Sequence, residues 1–245
     1  DVLYRYNIPE DRIIEKYQWS EIVGISSPSY SHDGRKIVFR AVDFSGKQEL
    51  DVLNIQSNEL LRLTDDFYED RAASFSPDNS KIVFSSDRTQ YGHAWCYNLF
   101  VYDLETDVIY YLTTGKHQDN TPVWSPNGQY IAFTSDRDTS LNVWVVDLSE
   151  VNEWNPEVYR KVKLKQISKF VNAAFDPEWM DNNRLLFAVY ENSRFEIRLM
   201  DHMPEKIDSS KILVSNPQLI GHRKWEFKKV SGNKITSRFK YQKKY

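Results

Sequence analysis

A single cysteine, Cys96, is present in the 245 residues, which excludes any disulfide within the chain and any zinc site built from several thiolates. It reads as a small core residue, and one cysteine suits the cytosol and a thiol-poor periplasmic protein equally, so compartment does not follow from it. No run approaches the roughly 18–20 consecutive apolar residues that cross a bilayer. The opening Asp1-Val-Leu-Tyr-Arg has neither the basic nor the apolar region of a signal peptide. A soluble segment with no membrane insertion is expected. Methionine is scarce, three residues against 15 Tyr and 13 Phe, and wide flat rings suit sheet faces better than helix stripes.

Catalytic signatures are missing as well. There is no Gly-x-Ser-x-Gly elbow, no His-Glu-x-x-His and no Gly-rich phosphate loop. His32, His93, His117, His202 and His222 are scattered, with no pair at ligand spacing. No cofactor and no metal is expected, and the balance leans away from an enzyme. Acidic residues are plentiful, and a glycosidase needs only a pair of carboxylates that converge from separate parts of the chain. Here most acids stand in turns, where an Asx side chain caps backbone N–H groups.

The formal charge of −3 is unevenly spread: from Arg223 onward there are nine Lys or Arg and one acid, Glu226, which leaves residues 1–222 at about −11. In Trp225-Glu-Phe-Lys-Lys and Arg238-Phe-Lys-Tyr the cations alternate with aromatics, the pattern of a half-exposed strand rather than a nucleic-acid patch.

What the chain has in abundance is self-similarity. Asn98-Leu-Phe-Val-Tyr-Asp-Leu104 and Asn142-Val-Trp-Val-Val-Asp-Leu148 match position for position. The same strand recurs as Leu3–Ile8, Leu50–Ile55 and Glu196–Asp201 and closes on Asn7, Asn54, Asp103, Asp147 and Asp201. The intervals lie near the 40–50 residues of a propeller blade. In phase with it run Pro28–Phe39, Ala73–Phe84 and Pro122–Phe133, each reading strand, tight turn, strand around Asp-Gly, Asp-Asn or Asn-Gly. A degraded fourth copy, Pro177–Phe187, has Met180-Asp-Asn-Asn in place of the Ser-x-Asx-Gly turn, so its turn is expected to be remodelled. A further apolar segment, as in Leu60–Thr64, Ile109–Thr113 and Lys163–Ser168, supplies a fourth strand.

Four short antiparallel strands cannot hide both faces of their sheet alone, so such units stack around an axis. The fold class is therefore all-β, a β-propeller of four-stranded antiparallel blades forming a single domain over residues 1–245. Blades are expected at roughly 22–65, 70–114, 119–168 and 174–215. Residues 1–20 and 223–245 together complete one more, giving about five; the alternative is a larger ring or a longer protein that supplies the missing strands.

The Ser-Pro-Asp-Gly-like turn followed by Ile-Val-Phe, with Ser86-Asp-Arg88 and Ser135-Asp-Arg137, resembles the TolB-type β-propeller repeat, clearly over residues 22–170. Similar repeats occur in TolB, in tricorn-like and prolyl-oligopeptidase-like propellers and in bacterial cell-envelope proteins. The resemblance implies the fold and leaves function to loops and channel. It suggests a non-catalytic module of an extracytoplasmic, periplasmic protein that binds a protein or peptide, or further domains of its own polypeptide. One alternative is the substrate-gating propeller of a peptidase whose catalytic domain lies elsewhere; another is a carbohydrate-acting enzyme. Candidate binding residues are Tyr91, His93 and Trp95 in the long loop Gln90–Tyr97, where amphipathic side chains gather on a rigid scaffold, and Arg88 and Arg137, whose competing role is to fix the blades.

Overall fold

In the computed structural model, which describes residues 1–88, 96–210 and 212–213, the strands follow the repeat. The first blade comprises β3 (Ile22–Tyr30), β4 (Lys36–Asp43), β5 (Gln48–Asn54) and β6 (Glu59–Arg62). The second holds β7 (Asp70–Phe75), β8 (Lys81–Ser86), β9 (Asn98–Asp103) and β10 (Val108–Tyr111). The third holds β11 (Asn120–Trp124), β12 (Tyr130–Asp138), β13 (Ser140–Asp147) and β14 (Lys163–Gln166). The fourth has three strands among the described residues, β15 (Ala173–Asp181), β16 (Arg184–Glu191) and β17 (Arg194–Met200). A two-stranded sheet, β1 (Leu3–Asn7) and β2 (Arg12–Tyr17), precedes them. Within every blade the strands pair antiparallel in chain order.

The closing Asx residues hold equivalent places. Asn54, Asp103 and Asp147 each end the third strand opposite the first residue of the second, Lys36, Lys81 and Tyr130. Each turns the chain by accepting N–H groups two or three residues on: Gln56 and Ser57 to Asn54, Glu105 and Thr106 to Asp103, Ser149 to Asp147. The turns between first and second strands share one chemistry. Ser31, Ser76 and Ser125 donate to Asp33, Asp78 and Asn127 and accept from the N–H of Lys36, Lys81 and Tyr130. The fourth blade lacks this serine, and Asn182-Asn183 makes a two-residue turn between paired Asp181 and Arg184.

Apolar faces meet between blades. Leu50 and Val52 of the first pack on Phe75, Phe84 and Phe100 of the second. Leu99 and Val101 pack on Phe133 and Trp144 of the third, and Val143 and Val145 on Leu185 and Phe187 of the fourth. Leu3 and Tyr17 of the leading hairpin cover Ile37 and Phe39. At roughly 1.5–3 kcal/mol per large apolar side chain removed from water, these seams hold the ring. After β17 the chain does not add a fourth strand to its blade within the described residues. Helix α1 (Met203–Ser209) tucks Met203 and Ile207 into the third seam, and β18 (Ile212–Leu213) pairs with β14 on the outside of the third blade.

Candidate functional site

The first strands β3, β7, β11 and β15 line the axis, and all four break regularity at one repeat position. Ser27, Ala72, Thr121 and Asp176 take φ of 52°, 51°, 47° and 52°, and the ladder to the second strand slips at each. This is a β-bulge with a left-handed residue, costly for any side chain but glycine. In three blades a proline follows, Pro28, Pro122 or Pro177, and proline, having no N–H to offer a ladder, is at home in a bulge. The bulges interrupt the axial edges, which makes them poor templates for an added strand. They border a cavity of about 500 Å³ between all four blades, lined among others by Tyr30, His32, Trp124 and Trp179.

Two carboxylates belong to that lining, Asp176 and Glu178. The Asp176 N–H is fixed by the Thr134 hydroxyl of the preceding blade at 3.0 Å. Glu178 is exposed at the cavity, and the crowding of protein around it there raises its pKa above the ordinary glutamate value. His32 stands at the rim, its backbone N–H held by Asn79 of the next blade at 2.8 Å.

Arg88 and Arg137 end up inside the protein. Arg88 is fully buried, donating to Asp70 at 2.5 Å and to Ser86 at 2.9 Å, with Asp66 at 3.0 Å from its other terminal nitrogen. Burial alone would lower its pKa, but Asp70 and Asp66 outweigh that and hold it above the usual arginine value. Arg137 grips Asp119 with two nitrogens, at 2.5 and 3.2 Å. The aspartates between Ser and Arg also match: Asp87 accepts the N–H of Glu69, and Asp136 that of Gln118. Each Ser-Asp-Arg triplet thus clamps the chain where it enters its own blade's first strand. Tyr91, His93 and Trp95 lie outside the described residues, in the segment that leaves from Arg88 and returns at Cys96.

Sequence reasoning did not single out two further groups. Glu49 stands where the next blades carry Asn98 and Asn142, and its burial, followed by the nearby charges of Asp70 and Asp66, lifts its pKa to about 7. Oxygens of Glu49, Asp66 and Asp70 lie within 4.8 Å of one another, the one such set of possible metal ligands among the described residues. The Arg88 guanidinium already supplies the cation at Asp66 and Asp70, and a proton on Glu49 removes the remaining repulsion. The aligned repeat, with Glu where its neighbours have Asn, was the only available signal. The second group joins three blades. Arg71 stacks on the Tyr97 ring at 3.5 Å and donates to Asn120 at 2.6 Å, while Tyr97 and Gln48 donate to the two oxygens of Glu69 at 2.7 and 2.9 Å. Burial and the hydrogen bond to Glu69 push the Tyr97 hydroxyl up to about 12.

The family model for the dipeptidyl peptidase IV N-terminal region matches residues 76–154. Among solved structures, a putative TolB from Agrobacterium tumefaciens is similar at 17% identity and TM-score 0.68, over 86% of this chain and 73% of that one. TolB from Acinetobacter baumannii is similar at 19% and 0.58, over 81% of this chain and 45% of its own. Tricorn protease matches at 14% and 0.59, over 85% of this chain and 24% of its own. The chain therefore has the TolB-like β-propeller fold that its repeats resemble, and it spans under half of the second TolB and about a quarter of tricorn protease. No helix among the described residues is long and apolar enough to cross a membrane.

Proposed function

We propose that this chain is a non-catalytic module that binds a protein or peptide at the channel mouth and in the loop bearing Tyr91, His93 and Trp95, as part of an extracytoplasmic bacterial protein. The observation that carries the reading is the axial cavity itself. All four blades contribute to it, and its walls mix aromatic rings, prolines and hydroxyls with two carboxylates. Such a surface suits an extended peptide: rings and prolines give contact area at low entropic cost, and Asp176 and Glu178 favour a basic side chain or an amino terminus. The buried clamps of Arg88 and Arg137 keep the scaffold rigid beneath.

Panning a phage-displayed peptide library on the purified full chain tests this. The enriched peptides, resynthesised, should lose about tenfold or more in affinity on Trp95→Ala or Tyr30→Ala, the range for one aromatic anchor. Absence of enrichment over a control protein, or affinity unchanged in both variants, would sink the proposal. A second reading, the gating propeller of a peptidase, draws support from the match of residues 76–154 to a peptidase's N-terminal region. A hydrolase domain encoded in the same reading frame would favour it.

A further inference from the structure

Shifted by 49 residues, the seam between the second and third blades repeats the seam between the first and second: Asn98, Gly115, Asp119 and Arg137 take the places of Glu49, Asp66, Asp70 and Arg88. In the later copy the buried aspartate is surrounded by donors. The Thr113 hydroxyl donates to Asp119 Oδ2 at 2.5 Å, the Ser135 hydroxyl donates to Oδ1 at 2.6 Å, and Arg137 adds two nitrogens. The Asn98 amide completes the set at 3.5 Å. One carboxylate there faces one guanidinium, and the charges cancel.

The earlier copy keeps the frame and changes the balance. Glu49 puts an acid where Asn98 has its amide, and Asp66 adds another where Gly115 has no side chain. Three carboxylates against the one guanidinium of Arg88 leave two negative charges in excess. Donors are missing as well. The Ser86 hydroxyl accepts from Arg88, and no hydrogen bond reaches Asp70 Oδ1 or Glu49 Oε2, although the two residues are 0% and 1% exposed. Buried polar oxygens without a partner are rare in folded proteins, and each points to something that fills the gap. Oxygens of Glu49, Asp66 and Asp70 lie within 4.8 Å of one another, a span that one cation with oxygen ligands at about 2.3–2.6 Å can bridge. The Asp66 side chain is 20% exposed and gives an ion a way in from solvent.

We propose that Glu49, Asp66 and Asp70 bind a calcium ion across the seam between the first and second blades, with Glu49 Oε2 and Asp70 Oδ1 among its ligands. A set of carboxylate oxygens selects a hard cation, and calcium tolerates an irregular site where magnesium demands a near-ideal octahedron. Its two charges cancel the excess that Arg88 leaves. Arg88 holds Asp70 by Oδ2, which leaves Oδ1 for the ion. The nearby guanidinium also repels the ion, so the affinity belongs to the weak class of calcium sites, at about 10⁻⁴–10⁻³ M. The ion ties β5 of one blade to β7 of the next, a link that the following seam makes with hydrogen bonds alone.

Thermal unfolding of the full chain, treated with EDTA and then freed of the chelator, tests the site. Calcium chloride at about ten times its Kd, compared with sodium chloride of equal ionic strength, should raise the Tm of the parent by about 3–6 °C. Glu49→Gln and Glu49→Asn, the second being the residue that the next two blades carry, should each cut that shift to about 1 °C or less. Glu178→Gln, in the axial cavity, should keep it. The two Glu49 variants serve as alternates, so that one which fails to fold leaves the other to decide. No calcium shift in the parent overturns the proposal, a proton on Glu49 then being all that fills the gap. A shift of equal size in the parent and in a folded Glu49 variant overturns it too, and so does a shift lost with Glu178→Gln, which would place the ion in the channel.

Discussion

Arg88 meets the carboxylate of Asp70 at 2.5 Å with neither side chain reaching solvent, and Arg137 repeats the contact on Asp119 one blade further round. Asp70 opens β7 and Asp119 immediately precedes β11, while Arg88 follows β8 and Arg137 stands near the end of β12, so each pair pins the chain as it enters a blade. Removing one partner strands a buried charge. Arg88→Met and Asp70→Asn are each expected to cost about 3–5 kcal/mol. The double variant should cost clearly less than the sum, with a coupling of about 1–3 kcal/mol. Urea unfolding of the three variants measures this; single variants within about 1 kcal/mol of the parent would mean the pair is not the clamp described.

Glu49 makes stability depend on pH with an unusual sign. Its folded pKa, about 7, lies above the 4.5 of the free group because burial disfavours the carboxylate. Between those values the folded chain holds a proton that the unfolded chain has released, so this contribution is complete below pH 4.5 and is lost as pH rises through 7. The loss amounts to roughly 3 kcal/mol at about 1.4 kcal/mol per pH unit. Burial raises Asp51, Asp66 and Asp87 in the same direction, so a matched pair is needed to isolate Glu49. Glu49→Gln keeps an acceptor for the Asp66 N–H and offers a donor near Asp70. Unfolding midpoints from pH 5 to 8 should show its advantage over the parent growing with pH; a constant difference would refute the assignment.

Asn79 does two jobs at once. It occupies the left-handed region at φ 60° in the turn between β7 and β8, and its side chain accepts the His32 N–H from the blade before. The two contributions separate by substitution. Asn79→Gly keeps the easy turn and loses the inter-blade hydrogen bond, at about 1 kcal/mol; Asn79→Ala also meets the left-handed penalty and should cost about 2–3 kcal/mol in all. Chemical denaturation ranks the three proteins, and alanine equal to glycine would show that the backbone conformation is not a constraint there.

Much of this was legible in the sequence because the devices are local. The closing Asx residues and the Ser-x-Asx turns act on N–H groups a few positions away, so repetition exposes them, and the lost serine at Met180 announced the altered fourth turn. The bulges were silent: Ser27, Ala72 and Thr121 are not residues that advertise a positive φ, and the strain is imposed by converging strands rather than by local chemistry. Arg88 and Arg137 were visible as residues, while their partners Asp70 and Asp119, 18 positions away in each case, emerge only when first and second strands pair. Glu49 acquires its pKa from enclosure alone, and β18 chose the outer edge of the third blade over its own, a long-range decision that no periodicity records.

Ala72 offers the cleanest measure of what the bulges cost. Alanine at φ 51° tolerates the left-handed region at a penalty of about 1–2 kcal/mol relative to its ordinary conformations. Glycine removes that penalty but gives the unfolded chain about 0.4–1 kcal/mol of extra freedom, so Ala72→Gly should lie within about 1 kcal/mol of the parent. Valine is worse on both counts, since its branched Cβ crowds the backbone at positive φ and its added methyls project at the axial cavity that Ala72 lines. Ala72→Val is expected to destabilise by about 2 kcal/mol or more, a fall of roughly 4–8 °C in Tm for a chain of this size. If calorimetry finds valine as well tolerated as glycine, the first strand of the second blade can flatten without cost, and the bulge is then a product of local relaxation rather than a fixed element of the channel wall.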